Sequence, residues 1–138
     1  MKRFLAITFI FITAGLAFSG YLSIVKLTSG SCAFGEQCPT FLGYPACWYG
    51  FAMYFLMFAM TLQALTGAGR MRAALLTDVF VAFVGLIFSG SFIVQEIAAN
   101  AAVGGPLALS TCVYGFACYL AILILSIVGA NKPQTPAA

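Results

Sequence analysis

Four long apolar segments, separated by shorter polar stretches, make up most of the chain. The apolar runs cover about 4–27, 45–65, 73–99 and 107–130. Each has the roughly 20 residues that a helix needs to cross a bilayer, whereas a membrane strand needs only about ten and alternates in polarity. The pattern therefore predicts four transmembrane helices. It leaves connectors at 28–44 and 100–106, a basic turn at 66–72 and a polar tail at 131–138.

Two short motifs occur twice, in the same order. The pattern C-x-Y-G-F-A-x-Y begins at Cys47 and returns 65 residues later at Cys112. The pattern GLxFSG begins at Gly15 and returns 70 residues later at Gly85. Two motifs repeated at nearly the same offset indicate an internal duplication of a two-helix unit.

The duplication predicts how the four helices are arranged. We expect one domain over 1–130, with a first repeat at about 4–66 and a second at about 73–130. Each repeat has two spans, so both repeats have the same orientation in the membrane. The predicted fold is an all-α integral membrane protein, a four-transmembrane-helix bundle of two tandem helical hairpins. The two hairpins would be related by a pseudo-two-fold axis along the membrane normal.

The first apolar segment also has some features of a signal peptide. Ala17-Phe18-Ser19 imitates a small-x-small cleavage site. The apolar run continues past that site through Ile24, however, and GLxFSG recurs far from the N-terminus. We therefore interpret the segment as the first transmembrane helix.

Composition agrees with a membrane protein and excludes several kinds of chemistry. The chain is 63% hydrophobic and only 7% charged, against about a quarter charged in soluble domains. The net charge of +3 is too small and too scattered to indicate a nucleic acid partner. The expected partner of the apolar helices is membrane lipid. The absence of histidine excludes imidazole metal sites and Ser-His or Cys-His catalysis, and we expect no metal. Five cysteines are the only reactive side chains present in number.

The basic residues predict the orientation. They lie at the N-terminus, in the middle turn and at the C-terminus: Lys2, Arg3, Arg70, Arg72 and Lys132. An even number of spans places these segments on one side, which is cytoplasmic by the positive-inside rule. We therefore expect a multi-pass protein of the cell inner (plasma) membrane, with both termini cytoplasmic and the cysteine-bearing connectors outside. Disulfides persist in that compartment, so the placement favours disulfide chemistry.

The cysteines form two candidate pairs and one single residue. Cys32 and Cys38 lie close together on the first connector, where they form either a structural staple or a functional pair. Cys47 and Cys112 begin equivalent helices, where the helix dipole favours a thiolate. A structural staple or two inert packed thiols are the alternatives for them. Cys118 lies six residues after Cys112, about 9 Å along a helix, which is too far for a disulfide between them. We expect Cys118 to be a plain buried cysteine.

Three charged positions lie within the predicted helices. Lys26 and Glu96 are equivalent under the offset of 70 and carry opposite charges, which predicts an ion pair across the bundle. The alternative is that each side chain snorkels separately to the interface. Asp78 follows Arg70 and Arg72, and we expect an ion pair among these residues on the cytoplasmic side.

The chain resembles the vitamin K epoxide reductase family and, more distantly, the bacterial disulfide-bond formation protein B. Cys32 and Cys38 resemble the family's pair of loop cysteines, and Gly43-Tyr44-Pro45 followed by Gly50 resembles its G-x-P…G start of the second helix. Cys112 resembles the first cysteine of the family's C-x-x-C dyad. The resemblance implies a four-helix membrane thiol oxidoreductase that passes electrons from a thioredoxin-like protein to a quinone.

One departure changes how such an enzyme would work. Position 115, where the dyad would have its second cysteine, is Gly115, so Cys47 would have to serve as the partner of Cys112. Cys32 and Cys38 would then exchange with an external dithiol. The quinone would bind among nearby aromatic residues: Trp48, Tyr49, Tyr114 and Phe116.

Two other functions are compatible with the sequence. The first is a non-enzymatic four-helix subunit or accessory protein with structural disulfides, whose aromatic residues contact lipid or a larger membrane complex. The second, a small transporter, would require polar residues at mid-membrane, where Gln63 is nearly the only candidate.

Overall fold

Long helices account for most of the chain. The computed structural model describes residues 2–30, 40–68, 70–103 and 111–133, without the side chains of 40, 100–103, 111 and 112. The helices in chain order are α1 (Lys2–Ser29), α2 (Ala46–Leu65), α3 (Met71–Val103) and α4 (Thr111–Ala130). All four are long and apolar enough to cross a membrane, which confirms the prediction of a four-helix multi-pass membrane protein.

The helices form a bundle in which sequence neighbours pack side by side. α1 packs against α2 and α4, and α3 packs against the same two helices, whereas α1 and α3 touch only slightly. The start of α1 and the residues after α4 meet at one face, where the Lys132 ammonium lies 5.3 Å from the centre of the Phe4 ring. We call this end of the bundle the terminal face and the opposite end the connector face.

The outward surfaces of the helices are apolar, as lipid contact requires. On α1 and α3, Ile10 and Phe80 are 66% and 69% exposed, and large apolar side chains are exposed on α2 and α4 as well. The buried core falls into two groups. A central cluster consists of Ile12, Tyr54, Met57, Val81, Ala82, Tyr119 and Ile122. A terminal cluster, nearer the terminal face, consists of Leu5, Ala64, Ala74 and Leu75.

Two tyrosines at the centre of the bundle pack against two glycines. The Tyr54 and Tyr119 rings stack with their centroids 4.6 Å apart and an angle of 11° between their planes. Gly15 lies against the Tyr54 ring and Gly85 against the Tyr119 ring, so closely that a Cβ on either glycine would overlap the ring. These glycines begin the two copies of GLxFSG, and these tyrosines end the two copies of the other motif.

A short hairpin that the sequence analysis did not anticipate precedes α2. Strands β1 (Thr40–Phe41) and β2 (Tyr44–Pro45) pair antiparallel around a two-residue turn. Both turn residues have positive φ, 52° at Leu42 and 83° at Gly43, as the tightest hairpin turns require. The Phe41 ring packs against Tyr49 on α2 and Phe88 on α3, which attaches the hairpin to the bundle.

The helix ends agree with the sequence except at the second connector. α2 begins directly after Pro45, whose missing N–H suits a helix start. α3 continues through Val103, four residues beyond its predicted end at Ala99. α4 is described from Thr111 onward. Residues 104–110, where α4 was predicted to begin, lie outside the described residues, as do most of the first connector and the tail from 134.

Candidate functional site

A cavity lies between all four helices in the half of the bundle towards the connector face. Its volume is about 620 Å³ including the open mouth, and its surface is almost entirely apolar. Aromatic side chains and glycines form most of its wall. The lining residues are Gly15, Phe18, Ser19, Leu22, Ala46, Cys47, Gly50, Met53, Tyr54, Phe88, Ser89, Phe92, Gly115, Cys118 and Tyr119.

Helical spacing explains which parts of the repeated motifs line the cavity. On α2, Cys47, Gly50 and Tyr54 are separated by three and four residues and therefore share one helix face. On α4, Gly115 and Tyr119 have the same relation. The glycines on these faces have no side chain, which leaves the space of the cavity between the helices.

The two central tyrosines have different hydrogen bonds. The Tyr54 hydroxyl donates to the Gly115 carbonyl oxygen at 3.3 Å. The Tyr119 hydroxyl is buried beside the Tyr54 hydroxyl and makes no hydrogen bond of good geometry among the described residues. The Tyr119 ring is only 2% exposed. The cavity wall therefore contains a buried O–H donor available to an acceptor.

Two free thiols line the cavity. Cys47 and Cys118 are both half-buried, and neither forms a disulfide in the described part of the chain. Cys118 lies beside the Tyr54 hydroxyl, deeper in the bundle than Cys47. Its place on a cavity wall differs from the simple buried position expected from sequence, because Gly115 one turn earlier leaves space beside it.

The side chains of the other three cysteines lie outside the described residues. Cys112 lies in the first turn of α4, at the connector face, but its side chain is outside the described residues. Cys32 and Cys38 also lie outside them. The pairings predicted for Cys47–Cys112 and Cys32–Cys38 therefore stay predictions. Within the described ranges, no group of three or more potential ligands could hold a metal ion.

None of the four aromatic residues predicted to bind a quinone lines the cavity, and two of them pack on its wall residues. Tyr49 packs on Phe88, with ring centroids 5.8 Å apart, and Tyr114 packs on Phe18 at 6.0 Å. Phe88 and Phe18 themselves line the cavity. Tyr49 and Tyr114 thus support wall residues from outside.

The remaining two predicted aromatics contact residues that do not line the cavity. Trp48 is 36% exposed and packs on Tyr44 of the hairpin. Phe116 lies against Gly90 of α3. Neither side chain lines the cavity.

The charged residues are placed differently from the sequence expectations. The Lys26 ammonium donates to the Gly30 carbonyl oxygen at 3.1 Å, and no ion pair joins it to Glu96 within the described ranges. Asp78 forms no ion pair with Arg70 or Arg72 in that part of the chain either. Its carboxylate is fully buried and accepts a hydrogen bond from Thr61 at 2.9 Å. The expectation of a cytoplasmic-side ion pair was wrong because Asp78 shares the buried face of α3 with Leu75 rather than the exposed face of the arginines.

Sequence reasoning missed the wall residues Phe18, Phe88, Tyr54 and Tyr119. The signal was present, since all four occupy matching positions of the two repeated motifs. The aromatic residues predicted from sequence are close to the cysteines along the chain but lie on other faces of the helices. Spacings of three, four and seven residues identify the correct face.

Comparisons with known proteins do not assign the chain to a family. No protein-family model, curated protein or solved structure matches it.

Proposed function

We propose that the protein is a membrane thiol–disulfide oxidoreductase that passes electrons from an external dithiol to a quinone bound in the cavity. One observation carries the proposal: an apolar, aromatic-walled cavity in the membrane is lined by the free thiols Cys47 and Cys118. Concave sites lined mainly by apolar and aromatic side chains, with a few polar groups among them, are typical of ligand sites. The resemblance to the vitamin K epoxide reductase family supports the same reaction.

The cavity suits the chemistry of a quinone ring. Such a ring is flat, apolar and has two carbonyl oxygens that accept hydrogen bonds. Phe18, Phe88 and Phe92 supply flat apolar wall, and the unpartnered Tyr119 hydroxyl supplies a donor. A buried donor without an acceptor costs about 1–3 kcal/mol, so a carbonyl oxygen that accepts from Tyr119 recovers that free energy.

The cysteines divide the electron transfer into two exchanges. An external dithiol, such as that of a thioredoxin-like protein, reduces a Cys32–Cys38 disulfide and is itself oxidised to a disulfide. The resulting Cys32 and Cys38 thiols then reduce a Cys47–Cys112 disulfide. Re-formation of that disulfide releases two electrons and two protons, which a quinone in the cavity accepts to become a hydroquinone.

We further propose that the bundle is a tandem duplication with a pseudo-two-fold axis along the membrane normal. The repeated motifs support it, and so do contacts that recur at the same offsets. Gly15 packs on Tyr54 as Gly85 packs on Tyr119. Phe18 packs on Tyr114, and the equivalent Phe88 packs on Tyr49. The cavity then lies on the axis, where both repeats contribute to it.

The orientation belongs to the same proposal. Arg70, Arg72 and Lys132 lie at the terminal face together with Lys2 and Arg3 at the start of α1. We place this face in the cytoplasm of a cell with an inner membrane, with the connector face in the oxidising compartment. A membrane-impermeant thiol reagent added from outside should then label Cys32 or Cys38 in reduced protein.

Activity in a reconstituted system tests the proposal. The purified protein in liposomes is supplied with dithiothreitol and a soluble short-chain quinone without oxygen, and loss of quinone absorbance is followed. We expect quinone-dependent dithiol oxidation that falls to background in Cys47→Ser and Cys112→Ser. Cys118→Ser, the same substitution at the cavity thiol that takes part in neither exchange, is the matched control and should stay active.

The state of the Cys47–Cys112 pair separates catalysis from a structural role. Equilibration in thiol–disulfide buffers, followed by mass spectrometry, gives its reduction potential. A catalytic disulfide should have a potential well above about −300 mV, and a structural one should lie below that value. A low potential together with unchanged activity in Cys112→Ser would leave a non-enzymatic membrane subunit with structural disulfides as the function.

A further inference from the structure

A layer of polar side chains crosses the otherwise apolar core near the terminal face. Each helix contributes one fully buried residue to this polar layer, which consists of Thr8, Thr61, Asp78 and Ser126. Along each helix, the polar residue lies one turn from the terminal cluster, or from a residue packed against it, on one side and one turn from the central cluster on the other. Thr8, for example, lies between Leu5 of the terminal cluster and Ile12 of the central cluster. Because a helix rises about 1.5 Å per residue, the four side chains lie at one level between the two clusters.

Hydrogen bonds within the layer are incomplete. The Thr61 hydroxyl donates to Asp78 Oδ2 at 2.9 Å, but Asp78 Oδ1 has no partner among the described residues. The hydroxyl oxygens of Thr8 and Ser126 are also buried without a partner in that part of the chain. Keeping a carboxylate ionised in the buried interior of the bundle, with a single hydrogen bond, costs much free energy.

Within the part of the chain that the structure describes, no cation pairs with the Asp78 carboxylate. Of the titratable side chains on α2 and α4, Tyr54 and Tyr119 lie closest, seven residues or about 10 Å along their helices from the layer. The charged groups towards the terminal face, on α1 and α3 and next to the ends of α3 and α4, are all exposed: Lys2, Arg3, Arg70, Arg72 and Lys132. The neutral, protonated carboxyl is therefore the form that the surroundings favour.

We propose that the polar layer is a proton-binding site, in which Asp78 holds an exchangeable proton taken up from the terminal face. A proton on Oδ1 makes that oxygen a donor, and the Thr8 and Ser126 oxygens are the acceptors at the same level. Thr61 lies four residues from the end of α2 and Asp78 seven from the start of α3, so the site is about 6–10 Å from the terminal face.

Several features separate this site from the proposed electron transfer. The Tyr54–Tyr119 stack and Met57 belong to the central cluster, which lies between the layer and the cavity. The dithiol supplies both protons that a hydroquinone needs, so the redox reaction does not require Asp78. The proton site consequently stands or fails independently of the oxidoreductase proposal.

A hydrophobic carbodiimide tests the native protein directly. This reagent enters membranes and adds to protonated carboxyl groups, and the adduct is located by mass spectrometry. At about pH 7, where an ordinary aspartate with a pKa near 3.9 is ionised, we expect labelling at Asp78 that decreases as the pH rises. Asp78→Asn should lose the adduct and Glu96→Gln should keep it.

Two results would overturn the proposal. Absence of labelling at Asp78 at every pH would mean that the carboxyl holds no accessible proton. Protection by Na⁺ at constant pH would make the layer a cation site instead.

Infrared spectroscopy gives an independent measurement because the chain has only three acidic side chains. In the Glu36→Gln/Glu96→Gln variant, Asp78 is the only side-chain carboxyl. We expect a protonated carboxyl band at neutral pH that shifts in D₂O and changes in frequency when Thr61→Val is added. A band that persists unshifted in D₂O and at all pH values would show a locked structural proton and contradict exchange with the terminal face.

Discussion

The two halves of the chain pack alike but differ in chemistry. At positions matched by the motif offsets, Gly15 and Gly85 receive a tyrosine ring in the same way. Other matched positions differ, among them three that line the cavity or the polar layer. The first half has Met53 and Thr8 where the second has Cys118 and Asp78. The Tyr54 hydroxyl is hydrogen-bonded, whereas the Tyr119 hydroxyl has no partner among the described residues.

The difference indicates which constraints apply to each position. Close helix packing requires a glycine and a ring in both halves, since a methyl group there has no space. Positions facing the cavity and the polar layer are not constrained by packing in the same way. Asp78, Cys118 and the Tyr119 hydroxyl belong to the second half, so we expect substitutions of these residues to change chemistry and substitutions of the glycines to change stability.

The glycines should give the largest effect. In Gly85→Ala, the new Cβ would lie 2.6 Å from Tyr119 Cε1, and the ring cannot retreat because it stacks on Tyr54. We expect a loss of about 1–3 kcal/mol in unfolding free energy, and a similar loss for Gly15→Ala. Unfolding in a denaturing detergent can be followed by the fluorescence of Trp48, the only tryptophan.

Gly50→Ala is the control for these variants. A Cβ on Gly50 would lie 4.0 Å from the Tyr119 hydroxyl, an ordinary contact. Alanine also favours helix by about 1 kcal/mol over glycine. A destabilisation of Gly50→Ala equal to that of Gly85→Ala would contradict the account of close packing.

The polar layer should give the next largest effect. Thr61→Val removes the only hydrogen bond to Asp78 seen in the described residues, and we expect a cost of about 1–3 kcal/mol. Thr77→Val is the control, because it makes the same substitution but removes only a hydrogen bond from the Thr77 hydroxyl to the Ala73 carbonyl within α3. Detergent unfolding should therefore leave Thr77→Val close to the parent protein. Equal stability of the two variants would show that the Asp78 contact contributes nothing.

Removing the tyrosine hydroxyls should change the unfolding free energy by a smaller amount, and differently in the two halves. Tyr54→Phe removes a hydrogen bond to the Gly115 carbonyl and should cost about 0.5–1.5 kcal/mol in unfolding free energy. Tyr119→Phe removes a hydroxyl without a described partner and should be neutral or slightly stabilising. A larger loss in Tyr119→Phe than in Tyr54→Phe would reverse the assignment of the two hydroxyls.

Lys26 and Glu96 should give the smallest effect. Since Lys26 bonds to the Gly30 carbonyl instead of the Glu96 carboxylate, the losses in Lys26→Met and Glu96→Gln should add in the double variant within about 0.5 kcal/mol. A coupling clearly above that value would indicate an ion pair formed in the membrane.

Segment lengths and turn residues predicted the helices well, because apolar runs long enough to cross a bilayer form helices rather than strands or loops. Pro45 and the basic turn marked helix ends correctly. The Leu42–Gly43 turn was missed because leucine seldom adopts positive φ. The burial of Asp78 and the location of the cavity depend on which helix faces meet, and proximity in sequence to arginines or cysteines does not reveal that.

Quinone affinity of the two tyrosine variants tests most directly whether the second half supplies the chemistry of the cavity. A soluble quinone is titrated into the reduced parent protein, Tyr54→Phe and Tyr119→Phe, and binding is followed by quenching of Trp48 fluorescence. Loss of one hydrogen bond of about 1.4 kcal/mol should weaken binding to Tyr119→Phe roughly tenfold. Tyr54→Phe, whose hydroxyl is already bonded to Gly115, should bind like the parent protein. Equal affinity in all three proteins, or a greater loss in Tyr54→Phe, would contradict the account.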